Sequence, residues 1–317
     1  MAPSSRQWAT TLTWEYRVST DNQQQLAEPL ETAPEIARVL VIGAGTMGCG
    51  IAQVVAEAGP TVTLYDVDRD AATRGMEAIV ASWQRAIARG RRTEATVASA
   101  AARLTSAASL DAARDVDLVI EAIVERADAK TDLFRKLSSL APARATLASN
   151  TSSISITRLA AATTRPAQVI GLHFFNPVPS MALVEVVRGL QTSDATVASA
   201  MQFARRLGKS PVLVNDYPGF VSNRILLPMI NEAIFCLGEG VAEATAIDDV
   251  MKLGMAHPMG PLALADLIGL DVCLDILHTL QQEIGDDKYR PAPLLRRLVA
   301  AGKLGRKSGQ GFFSYDR

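Results

Sequence analysis

Between Ala37 and Asp66 the hydrophobic pattern changes period twice. Val39 to Ile42 is an unbroken apolar run, as in a strand buried on both faces. After "GAGTMG" (residues 43–48), Met47, Ile51, Val54, Val55 and Ala58 fall on one face of a helix. Gly59 is placed to stop that helix, and "TVTLY" reads as a second strand ending at Asp66. The alternation continues with helical periodicity in "MEAIVASWQRAIARG" and "ATVASAAARL", a buried strand in "DVDLVIEAIV", and an amphipathic helix in "ADAKTDLFRKLSSL". "ATLASN", "QVIGLHFF" and "ALVEVV" read as strands, "DATVASAMQFARRLG" as a helix closed by glycine, and "SPVLVN" as a last strand. Strands alternating with helices of this length predict an α/β fold: a Rossmann-like, doubly wound, mostly parallel sheet covered on both faces.

From Pro218 the strand signal stops. "PGFVSNRILLPMINEAIFCLGEG" and "AIDDVMKL" are amphipathic, "GPLALADLIGLDVCLDILHTLQQEI" reads as one helix apolar nearly all round, and "PLLRRLVAAG" follows. The pattern predicts a nucleotide-binding domain over 36–216 and an all-α domain over 217–317, with a cleft between them suited to a substrate. Residues 1–35, beginning "MAPSSRQWATTLTWEYRVSTDNQQQ", are polar and aperiodic. They read as a poorly ordered extension. They lack the apolar core of a secretory signal, and Glu15 and Asp21 among the arginines argue against a transit peptide.

Composition narrows the function classes. The 317 residues are 48 % hydrophobic and 21 % charged with a formal net charge of −1, and no block of like charge occurs. Neither nucleic acid nor a membrane surface is therefore expected as a partner. No apolar run reaches the ~20 residues of a membrane span. Cys49, Cys236 and Cys273 lack metal or disulfide spacing. They read as core thiols in a reducing compartment, taken to be the cytoplasm, and no metal site is expected.

The glycine turn carries the first chemistry. A G-x-G-x-x-G motif alone is weak, but here it joins a strand to a helix, and Asp66 ends the next strand 23 positions after Gly43. Gly43 permits the tight turn, Gly45 lets backbone approach a pyrophosphate, and Gly48 lets the helix pack closely. The amides of Thr46 and Met47 open the helix and face an anion there. Asp66 would accept hydrogen bonds from the adenosine ribose hydroxyls and repel a 2′-phosphate. NAD is thus favoured over NADP, although the nearby Arg69 works against strict exclusion.

A second signal is "GLHFFNPVPSMALVEVV", residues 171–187, in which His173 and Glu185 stand twelve residues apart in apolar surroundings. Burying either alone loses hydration without replacement. Facing each other, each makes the other tolerable. Ser152, His173 and Asn176 fall at or just after strand ends, where ligands of such sheets bind.

In order and spacing, "GAGTMGCGIA", "EAIVER", "SNTSSISI", "GLHFFNPVPSMALVEVV", "PGFVSNRI" and "GRKSGQGFF" resemble the 3-hydroxyacyl-CoA dehydrogenases. The closer likeness is to the short single-function type that includes bacterial 3-hydroxybutyryl-CoA dehydrogenases. The resemblance spans about residues 36–317. It implies reversible oxidation of the 3-hydroxyl of a (3S)-3-hydroxyacyl-CoA with NAD. It implies His173 as general base and acid, with Glu185 orienting it and favouring the imidazolium. Ser152 would bond the reacting oxygen and help position the nicotinamide, and Asn223 would approach the substrate from the helical domain. Glu125 and Lys130 would lie at the nicotinamide ribose and Asn176 near the nicotinamide, with Lys307 as a further cofactor contact. Ser82 and Arg89 would bind CoA, the arginine keeping the family lysine's charge but not its geometry. The resemblance also implies a homodimer through the helical domain, which the apolar "PLALADLIGLDVCL" would suit. His257 is expected to be structural. Two alternatives stay open: a dehydrogenase of a free hydroxy acid, of gulonate or carnitine type, and a non-catalytic NAD-binding protein.

Overall fold

Residues 35–315 are described in the computed structural model. The strands are β1 (Arg38–Ile42), β2 (Thr61–Tyr65), β3 (Leu104–Ser106), β4 (Leu118–Glu121), β5 (Thr146–Ser149), β6 (Val169–Phe174), β7 (Leu183–Arg188) and β8 (Ser210–Asn215). Among the described residues these eight form one sheet in the order β3-β2-β1-β4-β5-β6-β7-β8. All neighbours are parallel except β6 and β7. The link 175–182 is too short for a parallel crossover, which needs a dozen or more residues, so β7 runs back along β6.

Helices cover both faces. These are α1 (Thr46–Ala58), α2 (Arg69–Ala88), α3 (Glu94–Ala101), α4 (Ala127–Leu140), α5 (Ile156–Ala161) and α6 (Asp194–Arg206). The central strand shows why its sequence is apolar without a break. Val39 and Val41 join the cluster of Ile51 and Val55 from α1, Ile79 and Trp83 from α2, and Phe203 from α6. Leu40 and Ile42 point the other way, to Phe134 and Leu137 of α4 and Leu159 of α5. Each such side chain, fully buried, contributes about 1.5–3 kcal/mol.

The remaining helices are α7 (Ser222–Gly238), α8 (Ala244–Gly254), α9 (Pro261–Ile268), α10 (Leu270–Ile284) and α11 (Pro293–Ala300). They share a separate cluster around Leu227, Ile230, Ile234, Leu262, Leu277 and Leu295.

Three readings need correction. The stretch 260–284 is two helices, not one, because Gly269 takes φ 106° and breaks the hydrogen-bond ladder between α9 and α10. It is not apolar all round either. The buried Asp266 carboxylate accepts hydrogen bonds from Phe312 N–H, Phe313 N–H and the Tyr315 hydroxyl, so the C-terminal tail folds over it. Second, the helix read through Leu104 ends at Ala101, and Leu104 opens the edge strand β3. Third, α5 was not anticipated. Ser155 caps it, and Asp216, at the end of β8, takes the N–H groups of Ile156 and Thr157. Of the three thiols only Cys273 is fully buried, which pushes it up to about 12; Cys49 and Cys236 are half-buried. The stretch 1–34 read as an extension lies outside the described residues.

Candidate active site

The glycine turn sits where the strand order reverses, between β1 and β4, the crevice in which such sheets bind ligands. Gly43 has φ 106°, and a Cβ there would overlap the Ala122 carbonyl at the end of β4. A Cβ on Gly48 would run into the Gly43 carbonyl oxygen, so the close packing is between the helix and its own entry turn. A Cβ on Gly45 would meet nothing within 4 Å. That open face, with an α1 N-terminus that has neither a side-chain cap nor an acidic residue in its first turn, fits a pyrophosphate. Asp66 braces the turn: Oδ2 accepts from Ala44 N–H at 2.7 Å and Oδ1 from Asp68 N–H at 3.0 Å. Each oxygen keeps a second lone pair for a ribose hydroxyl. The residues present therefore fit a dinucleotide.

His173 and Glu185 are direct partners in the β6–β7 pairing, with Nδ1 and Oε2 2.8 Å apart. The histidine is 7 % exposed and the glutamate 2 %. A carboxylate can only accept, so Nδ1 carries the hydrogen and Nε2 presents a lone pair. Glu185 has more partners than the histidine. Oε1 accepts from the N–H groups of Val221 and Ser222, at 3.3 and 2.9 Å, and Oε2 accepts from the Ser222 hydroxyl at 2.9 Å. Burial alone would raise its carboxyl, but the bonds from His173 and Ser222 hold it below the usual carboxylate range. The His173 ring also lies 4.6 Å from Phe175 and 5.8 Å from Phe220, centroid to centroid. Phe220 is buried with φ 49°, a left-handed conformation that costs a bulky residue about 1–3 kcal/mol and is kept by the packing around it.

A second network holds Ser152. Glu125 Oε1 accepts from Thr151 Oγ1 at 2.5 Å, from Ser152 N–H at 2.9 Å and Oγ at 3.2 Å, and from Ser153 N–H and Oγ, both at 3.2 Å. Its other oxygen is 2.9 Å from Lys130 Nζ. Burial would raise the Glu125 carboxyl, and the Lys130 ammonium and Thr151 hydroxyl keep it low. Lys130 is itself only 1 % exposed and also pairs with Glu121 at 2.7 Å. From the helical side, Asn223 Nδ2 donates to the Ser152 carbonyl at 3.1 Å. Ser152, Asn223, Ser222, Glu185 and His173 thus form a continuous chain of contacts.

A groove of about 1780 Å³ begins at this crevice. Gly43, Gly45, Thr46, Met47, Asp66 and Asn176 line it, and so do Ser82 and Arg89 with Arg85, Arg91 and Arg92 further along. Ser152, His173, Glu185, Asn223, Glu125 and Lys130 do not line it, and neither does Lys307, an exposed lysine that pairs with Asp271 at the start of α10. His257 lies in the turn between α8 and α9. Sequence reasoning overlooked Ser222, Thr151 and Glu121. Ser222 lay beside Asn223 in a quoted motif, and Glu121 carried the same signal as Glu185, a carboxylate inside an apolar strand run. Among the described residues no helix is long and apolar enough to cross a membrane, and no cluster of three His, Cys, Asp or Glu could hold a metal ion.

The family profile described as "3-hydroxyacyl-CoA dehydrogenase, NAD binding domain" matches residues 38–217, and that described as "3-hydroxyacyl-CoA dehydrogenase, C-terminal domain" matches 219–315. The chain is 55 % identical over 282 residues to the probable 3-hydroxybutyryl-CoA dehydrogenase of Bacillus subtilis, covering 89 % of this chain and 98 % of that one. It is 51 % identical over 283 residues to the 3-hydroxybutyryl-CoA dehydrogenase of Bradyrhizobium diazoefficiens, covering 89 % and 97 %. Among solved structures, (S)-3-hydroxybutyryl-CoA dehydrogenase PaaH1 from Ralstonia eutropha is similar with TM-score 0.87 and 50 % identity, covering 89 % of this chain and 100 % of that one.

Proposed function

The chain belongs to the 3-hydroxyacyl-CoA dehydrogenase family and is an NAD-dependent oxidoreductase; from that premise we propose that it interconverts a short (3S)-3-hydroxyacyl-CoA, of the 3-hydroxybutyryl-CoA type, and its 3-oxo ester. One observation carries the assignment of roles: His173 meets Glu185 through Nδ1 and leaves Nε2 as the basic atom at the strand ends. Bound NAD⁺ supplies the hydride acceptor.

In the oxidation direction, His173 Nε2 takes the 3-hydroxyl proton while hydride leaves the same carbon. The Glu185 carboxylate stabilises the imidazolium and fixes the ring, and in the reverse direction that proton returns to the carbonyl oxygen. Ser152 donates to the reacting oxygen by turning its one hydroxyl hydrogen away from Glu125 Oε1, and Asn223 holds the Ser152 carbonyl while bordering the substrate. Glu125 borders the nicotinamide ribose and Asn176 the nicotinamide, and the buried Lys130 serves the ribose site by fixing Glu125 from behind. Lys307 reaches the cofactor only by leaving Asp271.

The groove exceeds the ~300–1,000 Å³ of an ordinary ligand pocket, which suits a dinucleotide and a CoA ester together. Ser82 and Arg89 take the CoA phosphates. The division at 216/217 gives a nucleotide-binding part and a helical part for substrate and dimerisation. The homodimer through the helical part rests on the family resemblance; of the stretch "PLALADLIGLDVCL" suited to its interface, Leu262, Ala265, Leu270 and Cys273 lie in the helical core. The free thiols suit the reducing cytoplasm.

The test is NADH oxidation with acetoacetyl-CoA, beside NADPH and beside free acetoacetate. Turnover with NADH and the CoA ester alone is expected. Equal use of NADPH overturns the role of Asp66, and preference for free acetoacetate overturns the CoA-ester assignment.

A further inference from the structure

We infer that Glu121, at the end of β4, is a positioning residue for the reaction, acting through Lys130 and Glu125 on the serine loop 151–153. Glu121 is fully buried and has three donors. Oε1 accepts from Ile123 N–H at 2.8 Å and Lys130 Nζ at 2.7 Å, and Oε2 from Ser149 Oγ at 2.5 Å. Lys130 has no route to water and divides its ammonium between Glu121 and Glu125. The position of that ammonium therefore sets the position of the Glu125 carboxylate. One oxygen of that carboxylate gathers the donors of Thr151, Ser152 and Ser153.

Stability gives no reason for this arrangement. Removing the two charges of Glu121 and Lys130 from water is expensive, and an apolar plug of similar volume often does as well or better. What an apolar plug lacks is direction. The relay β4–Glu121–Lys130–Glu125 ties Ser152 to an interior strand paired on both edges, while Asn223 holds the same residue from the helical side. The inference rests on the reading of Ser152 as the donor to the reacting oxygen.

The experiment is a double-mutant cycle of E121Q and S152A in the full-length protein, measured as acetoacetyl-CoA reduction with NADH. E121Q is expected to lower kcat by about tenfold or more, with the KM for acetoacetyl-CoA within about threefold. In the S152A background the same substitution is expected to lower kcat by less than about twofold, because its target is already absent. Additive losses, or a wild-type kcat for E121Q, overturn the inference while leaving Ser152 in its role. A wild-type kcat for S152A is a different failure, since it removes Ser152 from the chemistry and the inference with it. If E121Q does not fold, E121D, which keeps the charge but draws the carboxylate back from Lys130 Nζ and Ser149 Oγ, takes its place in the same cycle with the same criteria.

Discussion

Glu185 stands directly across the β6–β7 ladder from His173, and the carboxylate that holds the imidazole also takes the first amide hydrogens of α7. One side chain therefore orients the base and anchors the helix that begins the all-α part. The two jobs separate in variants. H173A is expected to lower kcat by ~10²–10⁴ with little change in NADH Kd. E185Q is expected to lose turnover on a similar scale and also about 2–4 °C in Tm, because a helix cap is weakened. Steady-state rates, NADH titration and thermal melts check both. NADH affinity that falls in step with kcat in either variant contradicts these roles.

The two glycines of the turn make a contrasting pair. Gly45 faces open space with φ −74°, so G45A should keep the wild-type Tm yet bind NADH at least ~10-fold more weakly, the methyl standing where a pyrophosphate approaches. At Gly48 the Cβ would overlap the Gly43 carbonyl, so G48A should lose both NADH binding and thermal stability. Melts with and without NADH distinguish them; equal Tm losses would refute the assignment of Gly45.

Arg89 tests the substrate end. It lines the groove and is exposed. R89A should raise KM for acetoacetyl-CoA by about 3–10-fold, leaving kcat and NADH Kd near wild type, since a phosphate contact made equally in ground and transition states affects binding alone. R89K should recover part of the loss. An unchanged KM removes Arg89 from the CoA site.

Acid stability follows from the depressed carboxylates. Against burial, which would raise them, Glu185, Glu125 and Glu57 are held low by hydrogen bonds and cations, Glu57 by Gln53, Arg92 and Trp83. A folded-state pKa below the unfolded value gives stability that is present above the unfolded pKa of about 4.3 and is lost as pH falls through the folded value. Tm should therefore stay nearly level from about pH 7 to 5 and drop below about pH 4.5. E185Q should flatten part of that drop. A Tm that rises on acidification would contradict the sign.

The sequence by itself determined the alternating sheet, the change to helices after Asp216, the dinucleotide turn and the pairing of His173 with Glu185. All of these rest on short-range pattern: hydrophobic period fixes element type, and glycines at set spacing fix the turn. The two buried polar groups could be matched because each needed a partner and the other was near in sequence.

What tertiary structure decided is how distant polar groups are shared. Ser222 reaches Glu185 across 37 positions, Ser152 meets Glu125 across 27, and Asn223 meets the Ser152 carbonyl across 71. Only a folded chain brings such donors within 3.3 Å. Glu121 was passed over for a different reason: Lys130 is only nine positions away but sits on the amphipathic helix α4, where a lysine reads as solvent-facing, and Ser149 comes from the neighbouring strand β5. The break at Gly269 was hidden because the apolar positions on both sides keep the helical period. The tertiary structure gives the N–H freed at that break, that of Leu270, a partner in the Leu304 carbonyl, and covers the neighbouring Asp266 carboxylate with donors from the tail.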